Sequence, residues 1–360
     1  MAIKGVSGSK PIAPSDPVAR KRFEFSQAIE GNRDQWGRPK IALPDGAGET
    51  GYRRASSYGA PLEDTTALEG WKRRQVARGI ARRGDLQLAV SRSEVGLDSP
   101  EFDEQRAAKK EIDKLCEQAM EVVESGAKAV IGTAEHHIFE QVDLGLDPGH
   151  IPAQWKPDLD AYLELTRGFD SVSVELFVVQ DEHQVAGTLD RAVELQHDMV
   201  APDGTWLEAG SVIIGDVKTA QRMSFAGAKF AVQCWVYATG TPYNPITKMR
   251  EPWGHQPPRQ DWAVIFHVAS GSGAARLYWV DLRAAAAAAE VAREIYLWRN
   301  KLGKSMISAA AEDFVATAAI ALSVEDLQEA HCRAVSQGVW TPMLKAIFSA
   351  RKRELLAVAR

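Results

Sequence analysis

Apolar side chains alternate along residues 171–180, with Val172, Val174, Leu176 and Val178 on one side, the period of a strand with one buried face. Residues 185–195 and 211–218 read as two more strands. The turn sequence Ala201-Pro202-Asp203-Gly204 between them predicts an antiparallel hairpin. Residues 262–268 and 276–282 predict a second hairpin, closed by Gly271-Ser272-Gly273. Helical spacing accounts for most of the remainder beyond residue 60. It predicts helices over residues 62–88, where Leu68, Trp71, Val76 and Ile80 stand among basic residues, and over 101–126, 127–144, 157–167, 226–239 and the alanine-rich 283–302. The tail reads as helical, with Ser323-Val324-Glu325-Asp326 in the form of a capping box and Thr341 as a cap before Pro342.

The order helix, three strands, helix, two strands, helix predicts an α/β (α+β) sandwich. Residues 1–60 are rich in Gly, Pro, Ser and charge and are expected to form a mobile or irregular arm outside the core. A helical N-terminal segment (61–109), a core (110–302) and a helical C-terminal appendage (303–360) complete the expected division. The chain has 360 residues, 45% of them hydrophobic and 25% charged, enough to bury a sizeable core. Its net charge of -5 excludes a uniformly basic nucleic-acid binder, so phosphate contacts must come from local clusters. Candidates are Lys72 to Arg74 with Arg78, Arg82 and Arg83, and Arg351 to Arg353, each with a solvated helix face as its alternative. Cys116, Cys234 and Cys332 are widely spaced, which fits reduced thiols. With no leader-like segment and no apolar run of spanning length, a soluble cytoplasmic protein is expected. Gly5 to Lys10 lacks the spacing of a phosphate-binding loop.

Asp216-Val217-Lys218 ends an apolar strand, and alternation brings the carboxylate and the ammonium out on one face. Asp190 stands in a similar setting on the preceding strand. A turn centred on Asp203 places Asp190 opposite Asp216, and two facing carboxylates need a cation between them, either a divalent metal or Lys218. The two carboxylates and the Val217 carbonyl would hold magnesium beside a phosphate, with Lys218 orienting water or stabilising developing charge. A plain Asp/Lys ion pair with a second, surface Asp is the alternative.

Four segments then carry a resemblance. Gly132-Thr133-Ala134-Glu135-His136, Gly187-Thr188-Leu189-Asp190, Ile214-Gly215-Asp216-Val217-Lys218-Thr219 and Gln233-Cys234-Trp235-Val236-Tyr237 resemble, in order, the motifs of RecB-type exonucleases in the PD-(D/E)XK superfamily. The similarity is to exonucleases of actinobacterial phages and covers residues 110–298. It implies a restriction-endonuclease-like core, a central mixed sheet flanked by helices, with helical appendages at both ends. It also implies that Asp190 and Asp216 are the metal ligands, that Lys218 is catalytic, and that His136 contributes to metal binding or the rim of the site. His137 would point about 100° away from His136. Gln233 and Tyr237, four residues apart on a helix, would reach DNA or brace the site, with helix packing as the alternative. Glu175 matches an acidic position of such nucleases, with a solvent-facing role equally open.

The implied cofactor is Mg2+, with Mn2+ as a substitute. Many relatives bind an iron-sulfur cluster through four cysteines, and three are too few, so no cluster is expected. The implied activity is metal-dependent exonucleolytic hydrolysis of linear DNA in phage recombination or replication, in the host cytoplasm if the chain is phage-encoded. Arg74, Arg78 and Arg82 are the candidate DNA contacts, and a single-strand annealing protein is a partner by analogy. The alternatives are a structure-specific flap or endonuclease on the same core and a catalytically inactive DNA-binding protein.

Overall fold

The computed structural model describes residues 17–123, 127–221, 223, 227–305 and 309–358. Two compact units divide the chain, residues 1–289 and 290–360, the division falling inside a helix. The first unit opens with α1 (Pro17–Gly31), β1 (Lys40–Ala42), β2 (Glu49–Gly51), β3 (Arg53–Arg54) and the one-turn α2 (Ala55–Tyr58). Five helices follow: α3 (Thr66–Arg82), α4 (Gly84–Ser93), α5 (Phe102–Val122), α6 (Ala127–Asp143) and α7 (Lys156–Thr166). Then come β4 (Phe169–Gln180), β5 (Val185–Leu195), β6 (Met199–Val200), β7 (Trp206–Leu207), β8 (Val212–Lys218) and α8 (Gly227–Thr239). The unit closes with β9 (Thr241–Asn244), β10 (Met249–Arg250), β11 (Trp262–Ala269), β12 (Ala274–Asp281) and the start of α9 (Leu282–Ser305).

The central sheet runs β10-β9-β4-β5-β8-β11-β12, with β3 beside β5. Strands β4, β5 and β8 are antiparallel, whereas β8 and β11 are parallel and are joined through α8, as a parallel pair requires a crossover. The α+β character and the mixed sheet flanked by helices agree with the sequence. So does the hairpin register. Glu194 pairs with Val212, Val193 with Ile213, Ala192 with Ile214 and Arg191 with Gly215, and beyond them Met199 pairs with Leu207 and Val200 with Trp206. All six pairs belong to one hairpin folded about Asp203, closed where the Gly204 amide donates to the Ala201 carbonyl at 2.9 Å.

One face of the sheet packs Val193, Ile213, Val217 and Phe266 against Phe139 of α6 and Tyr162 of α7, whose rings stack 4.4 Å apart. The other face carries α8, in which every residue from Val232 to Ala238 is buried. Strands β8 and β11 are therefore covered on both sides and are almost continuously apolar.

Four expectations need correction. Residues 33–60 are not an irregular arm: β3 pairs with β5, and Ile41, Tyr52, Ala55 and Tyr58 are buried core. Ile41 and Tyr52 pack on Phe177 and Val179, so β4 is buried on both faces over its last four residues rather than on one. Residues 1–16 of that arm lie outside the described residues. The boundary expected at residue 110 falls inside α5, which belongs to the helical layer because Leu115 and Ala119 pack with Leu86. Gly79 of α3 crosses α5 so closely that a Cβ would stand 1.9 Å from the Ala119 carbonyl oxygen. The helix expected over 62–88 is broken between α3 and α4 at Arg83.

The second unit holds the rest of α9 with α10 (Ala309–Ile320), α11 (Val324–Ser336) and α12 (Pro342–Val358), built around Phe314, Leu327, Leu344 and Phe348. Both expected caps form: the Asp326 amide donates to Ser323 Oγ at 3.1 Å and the Ser323 amide to Asp326 Oδ2 at 2.9 Å, and the Leu344 amide donates to Thr341 Oγ1 at 3.2 Å. Among the described residues, no helix is long and apolar enough to cross a membrane.

Candidate active site

The β5–β8 ladder stops at Arg191 and Gly215, and the next residues on the two strands are Asp190 and Asp216. In place of a ladder carbonyl, Asp190 Oδ2 accepts the Val217 amide at 2.8 Å. Asp216 is wholly buried and forms an ion pair with Lys218, two residues along the same strand. Beyond Lys218, neither Asp216 oxygen has a donor among the described residues. Lys218 Nζ also lies 3.3 Å from the Val217 carbonyl and 5.0 Å from the centre of the Phe230 ring. Burial pushes the Asp216 carboxyl up to about 6, the Asp190 charge adding to the rise and Lys218 opposing it. For Lys218, burial disfavours the charge, yet Asp216 and Asp190 outweigh it and hold the ammonium above its usual range. Lys218 thus offsets part of the charge of the two carboxylates.

His136 reaches this point from α6, beside the Val217 backbone. Burial lowers its pKa, with Asp190 working the other way. Gly132, one turn earlier, permits the approach: a Cβ there would lie 2.6 Å from Thr219 Oγ1 at the end of β8. His137 turns away to Glu140, at 3.5 Å on the exposed face.

On the α8 side, Gln233 Nε2 donates to Tyr237 Oη at 3.0 Å, and both side chains are buried. Gly187 leaves room for this pair, since a Cβ would meet the Tyr237 ring at 3.2 Å and Ala55 at 2.8 Å. Burial raises the Tyr237 hydroxyl well above its usual range, and the charges of Asp190 and Asp216 add to the rise. Of the two roles open for the pair, the geometry favours bracing.

Two cavities open nearby, one reaching Lys218 and His136 and the other Gln233 and Tyr237, and neither is lined by Asp190 or Asp216. The first, about 950 Å³, is lined by Gly132, Thr133, His136, Lys218, Gln221 and Ser270. The second, about 1130 Å³, is lined by Arg54, Glu140, Glu175, Thr188, Gln233 and Tyr237. The β4–β5 register sets Val174 against Arg191 and Leu176 against Leu189, so Glu175 falls opposite Asp190. Its φ of 52° is left-handed, a conformation that costs a non-glycine residue about 1–3 kcal/mol and clusters at functional sites. Arg74, Arg78 and Arg82 share an exposed stripe of α3, where Arg78 donates to Gln75 Oε1 at 2.9 Å, and none of the three lines either cavity.

Sequence reasoning missed two buried networks beside the site. Arg191, only 2% exposed, pairs with Asp143, which also accepts the Tyr162 hydroxyl at 2.8 Å. An arginine inside an apolar strand was the available signal. Glu135, neighbour of His136, is pushed up to about 7 by burial with the Asp158 carboxylate alongside. Asp158 accepts the Gly271 and Gly273 amides at 2.6 and 2.7 Å, tying α7 to the β11–β12 turn. No spacing rule links these positions.

No family model matches this chain, and no curated protein does either. The reading of the site rests on its own residues.

Proposed function

We propose that the chain is a divalent-metal-dependent DNA exonuclease with a PD-(D/E)XK-type active site at Asp190, Asp216 and Lys218. The observation that carries this reading is the wholly buried Asp216 carboxylate, with Lys218 as its donor, beside a second carboxylate where β5 and β8 part. Such a group costs about 1–3 kcal/mol or more unless a cation compensates, and one ammonium shared between two carboxylates compensates in part. The oxygens of Asp190, Asp216 and the Val217 carbonyl suit a hard ion such as Mg2+, with Mn2+ as a substitute. An ion held there would neutralise charge on a scissile phosphate. With its counter-charge shared, the Lys218 ammonium can donate to a phosphoryl oxygen or align the attacking water. His136 stands beside the Val217 backbone, and Gln233 and Tyr237 hold α8 against β5. The order of helix, antiparallel meander, crossover helix and parallel strand is compatible with a restriction-endonuclease-like core.

Incubation with linear and covalently closed circular DNA, in magnesium and in chelator, tests the reading. Magnesium-dependent loss of linear DNA alone supports the exonuclease, loss of both forms indicates an endonuclease, and loss of neither leaves a binding protein.

Proton competition at Asp216 gives a pH prediction. The carboxyl must be ionised to hold a metal, and burial raises it to about 6, so activity at low magnesium rises with pH through about 6 and levels off above it. Excess magnesium shifts the midpoint downward by mass action. A pH–rate profile at two metal concentrations checks both the direction and the shift.

Neutralising Arg74, Arg78 and Arg82 together should weaken DNA binding and flatten its salt dependence, because each phosphate contact releases counterions. An unchanged slope in salt-titrated binding would assign the exposed stripe of α3 to solvation.

A further inference from the structure

We infer that a trough beside Lys218 receives the unpaired nucleobases of the DNA strand being cut, an inference that rests on the nuclease reading above. The β11–β12 register sets Ile265 opposite Tyr278 and His267 opposite Arg276, so these four side chains share the face of the sheet on which α8 lies. The next helix to border that face is α9, which presents Ala284, Ala285 and Ala288. Methyl groups cannot fill the space between the helices and the sheet, and a mainly apolar trough of about 980 Å³ is left. The run of alanines that looked merely helical in the sequence is what opens it.

The trough begins at the catalytic lysine. Gln221 lines both it and the cavity that holds Lys218. Phe230, whose ring centre lies 5.0 Å from the Lys218 ammonium, is part of its wall. His267 Nε2 bonds the Ala220 carbonyl at 2.6 Å and so ties the floor to the end of β8. Arg276 is exposed within it, and Asp281, the acidic residue among its described lining, is paired with Arg283. Aromatic walls leading from a phosphate-handling ammonium, with a guanidinium beside them, match single-stranded nucleic acid, whose bases stack on rings while cations follow the backbone. In a duplex the base faces are stacked on one another, so the occupant is the unpaired part of the strand.

A single-stranded oligonucleotide carrying 2-aminopurine, added in chelator, tests the trough without cleavage. Parent protein is expected to quench the fluorophore at one or two positions. Ala288→Phe, which fills the trough and leaves Lys218, Asp190 and Asp216 untouched, is expected to remove the quenching with an unchanged melting temperature. Tyr278→Leu provides the same test if Ala288→Phe folds poorly. In magnesium, an abasic site at the quenched positions should raise KM for the parent about tenfold with little change in kcat, the scale of one lost base stack. The same abasic substitution should have no effect on Ala288→Phe. Cleavage by the parent without quenching, or quenching that survives both variants, overturns the trough and leaves the nuclease reading standing. Quenching that both variants abolish, in a protein that cleaves nothing in any metal, supports the trough as a single-strand site and removes the nuclease reading.

Discussion

Purified Lys218→Ala is expected to cleave DNA at least about a thousandfold more slowly than the parent, and no concentration of magnesium or manganese restores it. The ammonium is paired with Asp216 and feels the charge of Asp190, and its removal leaves both carboxylates without that competing cation. The variant should therefore bind metal at least as well as the parent while lacking the donor that stabilises charge on the phosphate. Asp216→Ala is expected to lose a comparable factor for a different reason. It removes a ligand, so high metal restores part of its rate by mass action. Asp216→Ala should fold, because the loss of this buried carboxylate relieves its repulsion with Asp190, whereas Lys218→Ala leaves two carboxylates without their cation and should melt at a lower temperature than the parent. Single-turnover rates on end-labelled DNA across a metal titration separate the two variants. Partial rescue of Lys218→Ala by metal would move Lys218 out of the chemical step.

Asp143→Ala is expected to destabilise the protein by about 3–5 kcal/mol, the scale for breaking a buried ion pair by removing one partner. Arg191 is 2% exposed, and without Asp143 its guanidinium is left with the ring of Tyr162, 5.2 Å away, and the charge of Asp190. The Tyr162 hydroxyl loses its acceptor in the same step. Combining Asp143→Ala with Arg191→Met should recover most of the loss, since the uncompensated charge is then gone. Urea unfolding of the two single variants and the double variant measures this. A cost below about 1 kcal/mol for Asp143→Ala would show that the pair does not govern stability at the base of β5.

The hairpin that positions the site was legible because three local signals agree: alternation along β5, apolar continuity along β8, and Pro202-Asp203-Gly204 between them. Pairs such as Arg191 with Gly215 then follow from the position of the turn alone. What escaped the sequence depends on distant partners. Ile41, Tyr52 and Tyr58 are scattered among turn formers and become core only because β3 finds β5, more than a hundred residues on. β9 and β10 are too short to show a period, and Pro242 argues against a strand until Thr241 and Pro242 are seen paired with Val179 and Val178 of β4. Glu175 stood out in the sequence as an acidic residue in an apolar strand, but nothing in its neighbours announces a φ of 52°. The partners Asp143 and Asp158 come from helices whose polar residues look solvated until the helices are docked.

The most direct test of the central claim is release of label from end-labelled linear DNA by purified parent protein, first in magnesium and then after chelation. The account predicts time-dependent release in magnesium that stops on chelation and is absent from Asp216→Asn prepared in the same way. No release by the parent in either magnesium or manganese, or release that chelation and Asp216→Asn leave unchanged, would contradict it.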